Sequence, residues 1–238
     1  MSAGERPVAL SVRDLHAWYG ESHILHGVDF EVRRGEVVTL LGRNGAGRTT
    51  TLKAILGLTG KRSGSVRVNG TETVALAPHR IARLGIGYCP EERGIFASLS
   101  TEENLLLLPE VGTDGMPIEE IYAMFPNLKE RARSPGTKLS GGEQQMLAMA
   151  RILRAGANLL LLDEMTEGLA PVIVQKLAEV VRRLREKGYT IVLVEQNFRF
   201  AAPLADRHYV VERGRVVETV SKDELSAKTG MLDRYLGV

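Results

Sequence analysis

Apolar and polar positions along the chain fall into three patterns, and each predicts a different element. The first is strict alternation: VDFEV (28–32) sets Val28, Phe30 and Val32 between Asp29 and Glu31, the period of two expected of a strand with one face buried. VALSV (8–12) and SVRVNG (65–70) read the same way, so the N-terminal part predicts short antiparallel strands. The second is unbroken apolarity. NLLLLD (158–163) and TIVLVEQ (190–196) each hold four consecutive apolar residues, the mark of parallel strands covered on both faces, and VVTLL (37–41) joins them. The third is helical spacing, with Ile173, Leu177, Val180, Val181 and Leu184 recurring among charged residues. That predicts an amphipathic helix over 172–187 crossing between two parallel strands. A strand–helix–strand unit with an extra antiparallel edge is an α/β core. Residues 89–157 contain no convincing strand and read as a helical lobe inserted between 1–88 and 158–238. HYVVERGRVVE (208–218) predicts a hairpin turning at Arg213 and Gly214, followed by polar helix-forming residues.

Composition narrows this picture. With 44% hydrophobic and 25% charged residues over 238 positions, the chain can bury a full core as one compact domain with a lobe. Its 31 basic and 29 acidic residues give a formal charge of +2, too balanced to predict a nucleic-acid partner. A lone cysteine, Cys89, excludes an internal disulfide and suits a reducing compartment. MSAGERPVAL carries no apolar signal core, and the apolar runs 105–108 and 159–162 fall far short of the roughly 20 residues that span a bilayer. The expectation is a cytoplasmic protein whose membrane role comes through a partner.

The candidate chemistry starts in LLGRNGAGRTTTLK (40–53), where Gly42, Gly45 and Gly47 stand between an apolar strand and a helix beginning near Arg48 or Thr49. The spacing is that of a phosphate-binding loop whose lysine is replaced by Arg48. Curled backbone N–H groups and the helix N-terminus would hold phosphate oxygens along Gly42, Asn44, Gly45, Ala46, Gly47, Arg48, Thr49 and Thr50. Thr49 would turn its hydroxyl to Mg²⁺; the alternative is an ordinary glycine-rich turn. Lysine is a compact charge, whereas guanidinium is longer, planar and suited to bidentate contacts. Nucleotide binding is therefore expected to survive the replacement better than transition-state stabilisation does. A tolerated replacement with little effect is the competing outcome.

In LSGGEQQ (139–145), Ser140 and Glu143 have the spacing of a capping box, ahead of a helix that buries Met146, Leu147, Ala150 and Leu153. Gly141 and Gly142 weaken that helix's first turn and make sense if bare backbone must approach an anion; the alternative is simply a well-capped helix. Asp163 and Glu164 end the apolar strand of 158–163, where ligands meet the sheet of an open α/β fold. Solvated turn acids are the plainer reading.

In order and spacing, the glycine loop, LSGGEQQ and LLLLDE resemble the Walker A, signature and Walker B motifs of an ABC-type ATPase subunit, across nearly the whole chain. The resemblance implies a P-loop NTPase (RecA-like) α/β core with an antiparallel β subdomain and an inserted helical subdomain, and ATP and Mg²⁺ as cofactors. It implies that Asp163 joins the Mg²⁺ shell through water and that Glu164 polarises the attacking water. Gln196 stands where a histidine usually contacts the γ-phosphate, and Glu91 where a glutamine usually links Mg²⁺ to the helical lobe. Glu164, Gln196 and Arg48 form the implied catalytic set, with Thr49, Glu91 and Asp163 around the metal. Tyr19 fits the aromatic that stacks on adenine, with Trp18 as rival and core packing as the other possibility. Met165 replaces a usual proline, and TEGLAP (166–171) matches the loop by which two subunits touch.

PEERGIF (90–96), TEGLAP and LVEQN (193–197) together resemble one of the two ATP-binding subunits of importers for branched-chain amino acids, where Glu and Gln at positions 91 and 196 are usual. The implied assembly holds ATP between the Arg48 loop of one subunit and Ser140, Gly141 and Gly142 of a second ABC ATPase subunit, identical or different. Transmembrane permeases would dock near Ile95 and Phe96 on the inner face of the membrane, and a periplasmic or extracellular solute-binding protein would take part indirectly. Two other readings compete. A regulatory subunit that scarcely hydrolyses ATP is favoured by Arg48 and Met165, whereas a soluble ATPase acting on DNA or ribosomes usually carries a long coiled coil or a second cassette.

Overall fold

The computed structural model describes residues 6–111 and 115–236. Strands β1 (Val8–Tyr19) and β2 (Ser22–Arg33) pair antiparallel, with Tyr19 opposite Ser22 at the turn. Both outrun the short strands expected around 8–12 and 28–32. The ladder shifts register between Val12 and Leu15, where Asp14 has φ of 46°. A bulge resets which side chains face inward, so a period-two count loses the strand there. After β3 (Val37–Leu41) come the glycine loop and α1 (Arg48–Ile55), then β4 (Lys61–Val68) and β5 (Thr71–Glu72). The first sheet has the order β2-β1-β4-β5 and is antiparallel throughout.

The chain continues through α2 (Pro78–Ala82) and β6 (Ile86–Cys89) into α3 (Thr101–Leu106), α4 (Ile118–Met124), α5 (Pro126–Glu130) and α6 (Gly141–Arg154). Strand β6 lies outside the sequence expectations. It is only four residues long, and its Gly87 answers to packing, since a Cβ there would sit 2.7 Å from the Ala157 side chain. Then follow β7 (Leu159–Asp163), α7 (Pro171–Glu186), β8 (Thr190–Val194), α8 (Phe198–Ala201), β9 (Arg207–Glu212), β10 (Arg215–Ser221) and α9 (Leu225–Leu236). The second sheet runs β10-β9-β3-β8-β7-β6; its strands are parallel from β9 to β6, and β10 closes the edge antiparallel.

That sheet lies between two hydrophobic cores, which explains the unbroken apolar runs. Leu160, Leu162, Ile191 and Leu193 pack with Met146, Leu147, Leu177 and Leu184 of α6 and α7. Their strand neighbours Leu159, Leu161, Val192 and Val194 turn to the other side, against Leu10, Phe30, Leu52 and Ile55. Each fully buried side chain of this size stabilises by about 1.5–3 kcal/mol. At the β9–β10 turn, Arg213 and Gly214 both have positive φ, 47° and 71°. Gly214 also meets the first sheet closely: a Cβ there would sit 2.0 Å from the Ile24 carbonyl oxygen, and its N–H donates to the Ala46 carbonyl at 2.8 Å. The hairpin thereby supports the glycine loop. Among the described residues, no helix is long and apolar enough to cross a membrane.

Candidate active site

The C-terminal ends of β3, β7 and β8 deliver the glycine loop, Asp163 with Glu164, and Gln196 to one end of the parallel strands. Gly42 has to be glycine, because a Cβ would lie 2.3 Å from the Val211 carbonyl oxygen. Gly47, at φ of 104°, is the N-cap of α1; that end has no side-chain cap and no acid in its first turn. Free N–H groups at a helix N-terminus attract anions. A cavity of about 440 Å³ opens there, lined by Tyr19, Ile24, Asn44 to Thr50, Glu91, Glu164, Glu167 and Gln196. Most of the residues singled out from the sequence therefore share one space.

Asp163 lies just beneath, fully buried, and takes a hydrogen bond from the Thr49 hydroxyl on Oδ1 at 3.0 Å and from the Tyr88 hydroxyl on Oδ2 at 2.9 Å. Burial raises its pKa, against the pull of those two donors and of Lys53 and Arg48. Glu91 belongs to a different group, since its carboxylate gathers with those of Glu164 and Glu167 within 4.8 Å of one another. Burial, then Glu167, raises the Glu91 carboxyl. The donors are all oxygen, the chemistry that suits Mg²⁺. Tyr88, Glu167 and Glu195 escaped the sequence reading. Glu195 is 2% exposed; burial pushes its carboxyl up to about 7, although Oε2 accepts from the Thr166 hydroxyl at 2.8 Å. The only signal for it was an acid ending the apolar run of β8.

Arg48 lines the cavity, but its guanidinium is paired with Glu164 and is not a free cation there. Its side chain is 3% exposed, and Nη2 donates to Glu164 Oε1 at 2.9 Å and to Asn44 Oδ1 at 3.2 Å, while Nη1 is buried with no partner. Burial lowers the guanidinium pKa, and the surrounding Glu164, Asp163, Glu195 and Glu167 raise it. The other carboxylate oxygen of Glu164 accepts from Gln196 Nε2 at 3.1 Å. Burial pushes the Glu164 carboxyl up to about 6, with a hydrogen bond to Glu167 adding to the rise and Arg48 opposing it.

Of the two candidate aromatics, Tyr19 lines the cavity and is 43% exposed, whereas the Trp18 ring stacks on His23 at 4.2 Å with Lys61 above it. The Ser140 to Gly142 segment does not line the cavity. Its capping box is present: Glu143 N–H donates to Ser140 Oγ at 3.3 Å, and Ser140 N–H to Glu143 Oε2 at 2.7 Å. Gly142 has a reason inside its own chain, since a Cβ would lie 2.7 Å from Ile173 Cγ2 of α7. Met165 is buried, and its sulfur takes a hydrogen bond from Gln145 Nε2 at 2.8 Å, tying the end of β7 to α6.

A family model described as ABC transporter matches residues 25–167, which hold the glycine loop, the capped α6 and Asp163 with Glu164. The chain belongs to the ABC transporter family. BraG of Pseudomonas aeruginosa, a high-affinity branched-chain amino acid transport ATP-binding protein, is 42% identical over 96% of this chain and 99% of its own length. LivF of Archaeoglobus fulgidus, a probable branched-chain amino acid transport ATP-binding protein, is 39% identical over 89% of this chain and 91% of its own. A solved ATP-binding subunit of an ABC transporter superposes with a TM-score of 0.80 at 28% identity, over 97% of this chain and all of that one. The fold is thus the P-loop NTPase fold with antiparallel and parallel sheets, and the chain is an ABC transporter ATP-binding subunit with ATP as its ligand. ATP-binding subunits of this family hydrolyse ATP and work as dimers with transmembrane permeases.

Proposed function

We propose that this subunit powers an importer of branched-chain amino acids, or of a related small polar solute, from the cytoplasmic face of the membrane. The catalytic end of its parallel strands carries the reading: one cavity brings together the glycine loop, Tyr19, Glu164 and Gln196, while the Ser140 to Gly142 segment stands outside it. A site built that way is completed by a second ATPase subunit, identical or different, that lends its own LSGG segment. Tyr19 stacks on the adenine, and the N–H groups from Asn44 to Thr50 hold the phosphates. Thr49 and Asp163 would hold Mg²⁺, which supplies charge neutralisation at the phosphates, and Glu91, gathered with Glu164 and Glu167, would add oxygen donors from the lining of the same cavity. Glu164, its carboxyl raised to about 6, takes a proton from the attacking water near neutral pH, with Gln196 steadying it. Closing the clamp moves the helical lobe, residues 89–157, against the permeases. Phe96 suits that contact because it is 46% exposed, with the Arg151 guanidinium 4.8 Å from its ring centroid.

Uptake of labelled leucine, isoleucine and valine by cells with and without the gene tests the solute. Loss of urea uptake with branched-chain uptake intact would overturn that assignment. Phe96→Asp is expected to abolish uptake while leaving ATP affinity unchanged. A subunit that binds ATP but turns it over slowly is the second reading, favoured by the Arg48–Glu164 ion pair. Phosphate release by the native chain and Arg48→Lys separates the two readings: a tenfold gain in the variant corresponds to about 1.4 kcal/mol of transition-state stabilisation withheld by arginine. Equal rates would set the slow-subunit reading aside.

A further inference from the structure

We infer that Arg48 is a positioning residue that holds Glu164 out of action until the terminal phosphate of ATP takes the guanidinium away from it. The inference rests on the ATP-site reading above. The pair is close and sheltered, 2.9 Å long with side chains 3% and 11% exposed, so water screens it weakly. Both partners are held from behind. Asn44 Oδ1 takes a second hydrogen bond from Arg48 Nη2, Gln196 Nε2 occupies the other oxygen of Glu164, and the Glu164 N–H is tied to the Val194 carbonyl at 2.8 Å. Glu164 keeps a φ of 47° there, a backbone conformation uncommon for a residue with a side chain.

The same arrangement is built to open. Nη1 of Arg48 is buried without a partner, and an unmet donor away from water costs free energy. A phosphate entering the loop offers several oxygens to a planar fork that glutamate engages through one nitrogen only. Exchange breaks the Nη2 bond to Glu164, makes charge-assisted bonds from the guanidinium to phosphate, and releases Glu164 Oε1 to accept a proton from water while Gln196 still holds Oε2. ADP, which lacks the terminal phosphate, gives the guanidinium less reason to leave. The device thus couples the presence of the group to be cleaved to release of the base that activates water.

Affinities of the native chain, Glu164→Asp and Glu164→Gln for a non-hydrolysable ATP analogue and for ADP test this, at concentrations where sizing shows a monomer. Glu164→Asp keeps the charge but is one methylene too short for the 2.9 Å contact. Both variants are expected to bind the analogue roughly fivefold tighter or more, with ADP changed less than about twofold. Tighter binding by Glu164→Gln alone would reduce the effect to charge repulsion and overturn the inference, as would no gain in either variant. Binding of neither nucleotide by any of the three chains would overturn the ATP-site reading itself. Without nucleotide, both variants are expected to fold and to melt a few degrees lower, roughly the shift a lost buried partner produces. Unchanged melting in both would mean that no ion pair had been lost, and would also overturn the inference.

Discussion

Helices α1 and α6 both have glycines at their N-terminal ends, Gly47 as the N-cap of α1 and Gly141 and Gly142 in the first turn of α6, yet those ends are finished in opposite ways. At α6, Ser140 and Glu143 satisfy each other's backbone N–H groups. At α1, Gly47 offers no side chain, and no acid stands in the first turn. Uncapped N–H groups keep their positive field for a ligand, whereas capped ones have given part of it to their own chain. The glycines differ as well: Gly42 and Gly47 let the backbone curl around a space, while Gly142 lets α6 pack onto Ile173 of α7. The α1 end thus has the character of a binding site within one chain. The α6 end is structurally complete in the monomer, and in the proposed clamp it meets nucleotide held by a neighbour.

The largest test removes the group that only the α1 side supplies. Glu164→Gln is expected to cut turnover about hundredfold or more, read by steady-state phosphate release, while MgATP still raises the melting temperature. Loss of that thermal shift would mean that the carboxylate serves binding as well as chemistry. On the α6 side, Gly142→Val drives a side chain into Ile173 and is expected to destabilise by about 1–3 kcal/mol in urea unfolding. Ile173→Ala in the same chain should recover part of the loss; no recovery would return Gly142 to a purely anion-facing role. Tyr19→Ala is expected to weaken ATP binding by about 1–3 kcal/mol in competition titrations. Trp18→Ala should leave it nearly unchanged, because that ring is engaged with His23.

Two smaller effects sharpen the contrast. The Glu195 carboxyl stands at about 7 in the folded chain against 4.5 ordinarily, so the native state holds its proton more tightly than the unfolded one. Its stabilisation is complete below about pH 4.5 and is lost as pH rises through 7. Glu195→Gln is therefore expected to raise the melting temperature at pH 8 relative to the native chain and to do little at pH 5. The same difference at both values would show that the carboxyl does not titrate there. Ser140→Ala should cost about 1 kcal/mol of stability by losing the cap, with the MgATP shift of the isolated subunit unchanged. A lost shift would place Ser140 at the chain's own nucleotide.

Much of this was legible because it is local chemistry. Four apolar residues in a row at 159–162 and 191–194 form strands buried on both faces, and the structure puts alternate residues into two cores, whereas the equally apolar run 105–108 falls at the end of α3 with Leu106 and Leu107 exposed. The Arg213–Gly214 turn and the Ser140 capping box are recognisable from residues within a few positions of each other. Strand β6 was illegible because its four residues owe their conformation to β7 and to the packing of Gly87 against Ala157 and Ile152. Tyr88 reaches Asp163 across 75 positions, and Glu195 reaches Thr166 across 29, distances over which no periodicity carries a signal.

By itself the amino-acid sequence determined the buried parallel strands, the crossover helix, the glycine loop and the acids at the strand ends, because spacing and side-chain chemistry act over a turn of helix or a few residues of strand. It also placed an arginine where a lysine is expected, without saying what that arginine touches. Only the tertiary structure decided that Arg48 is withdrawn onto Glu164, that Gly142 yields to Ile173, and that Tyr19 rather than Trp18 meets the cavity. Each of these depends on which surfaces the packed sheets and helices bring within hydrogen-bond or van der Waals reach, and burial then sets how strongly the charges there act on one another.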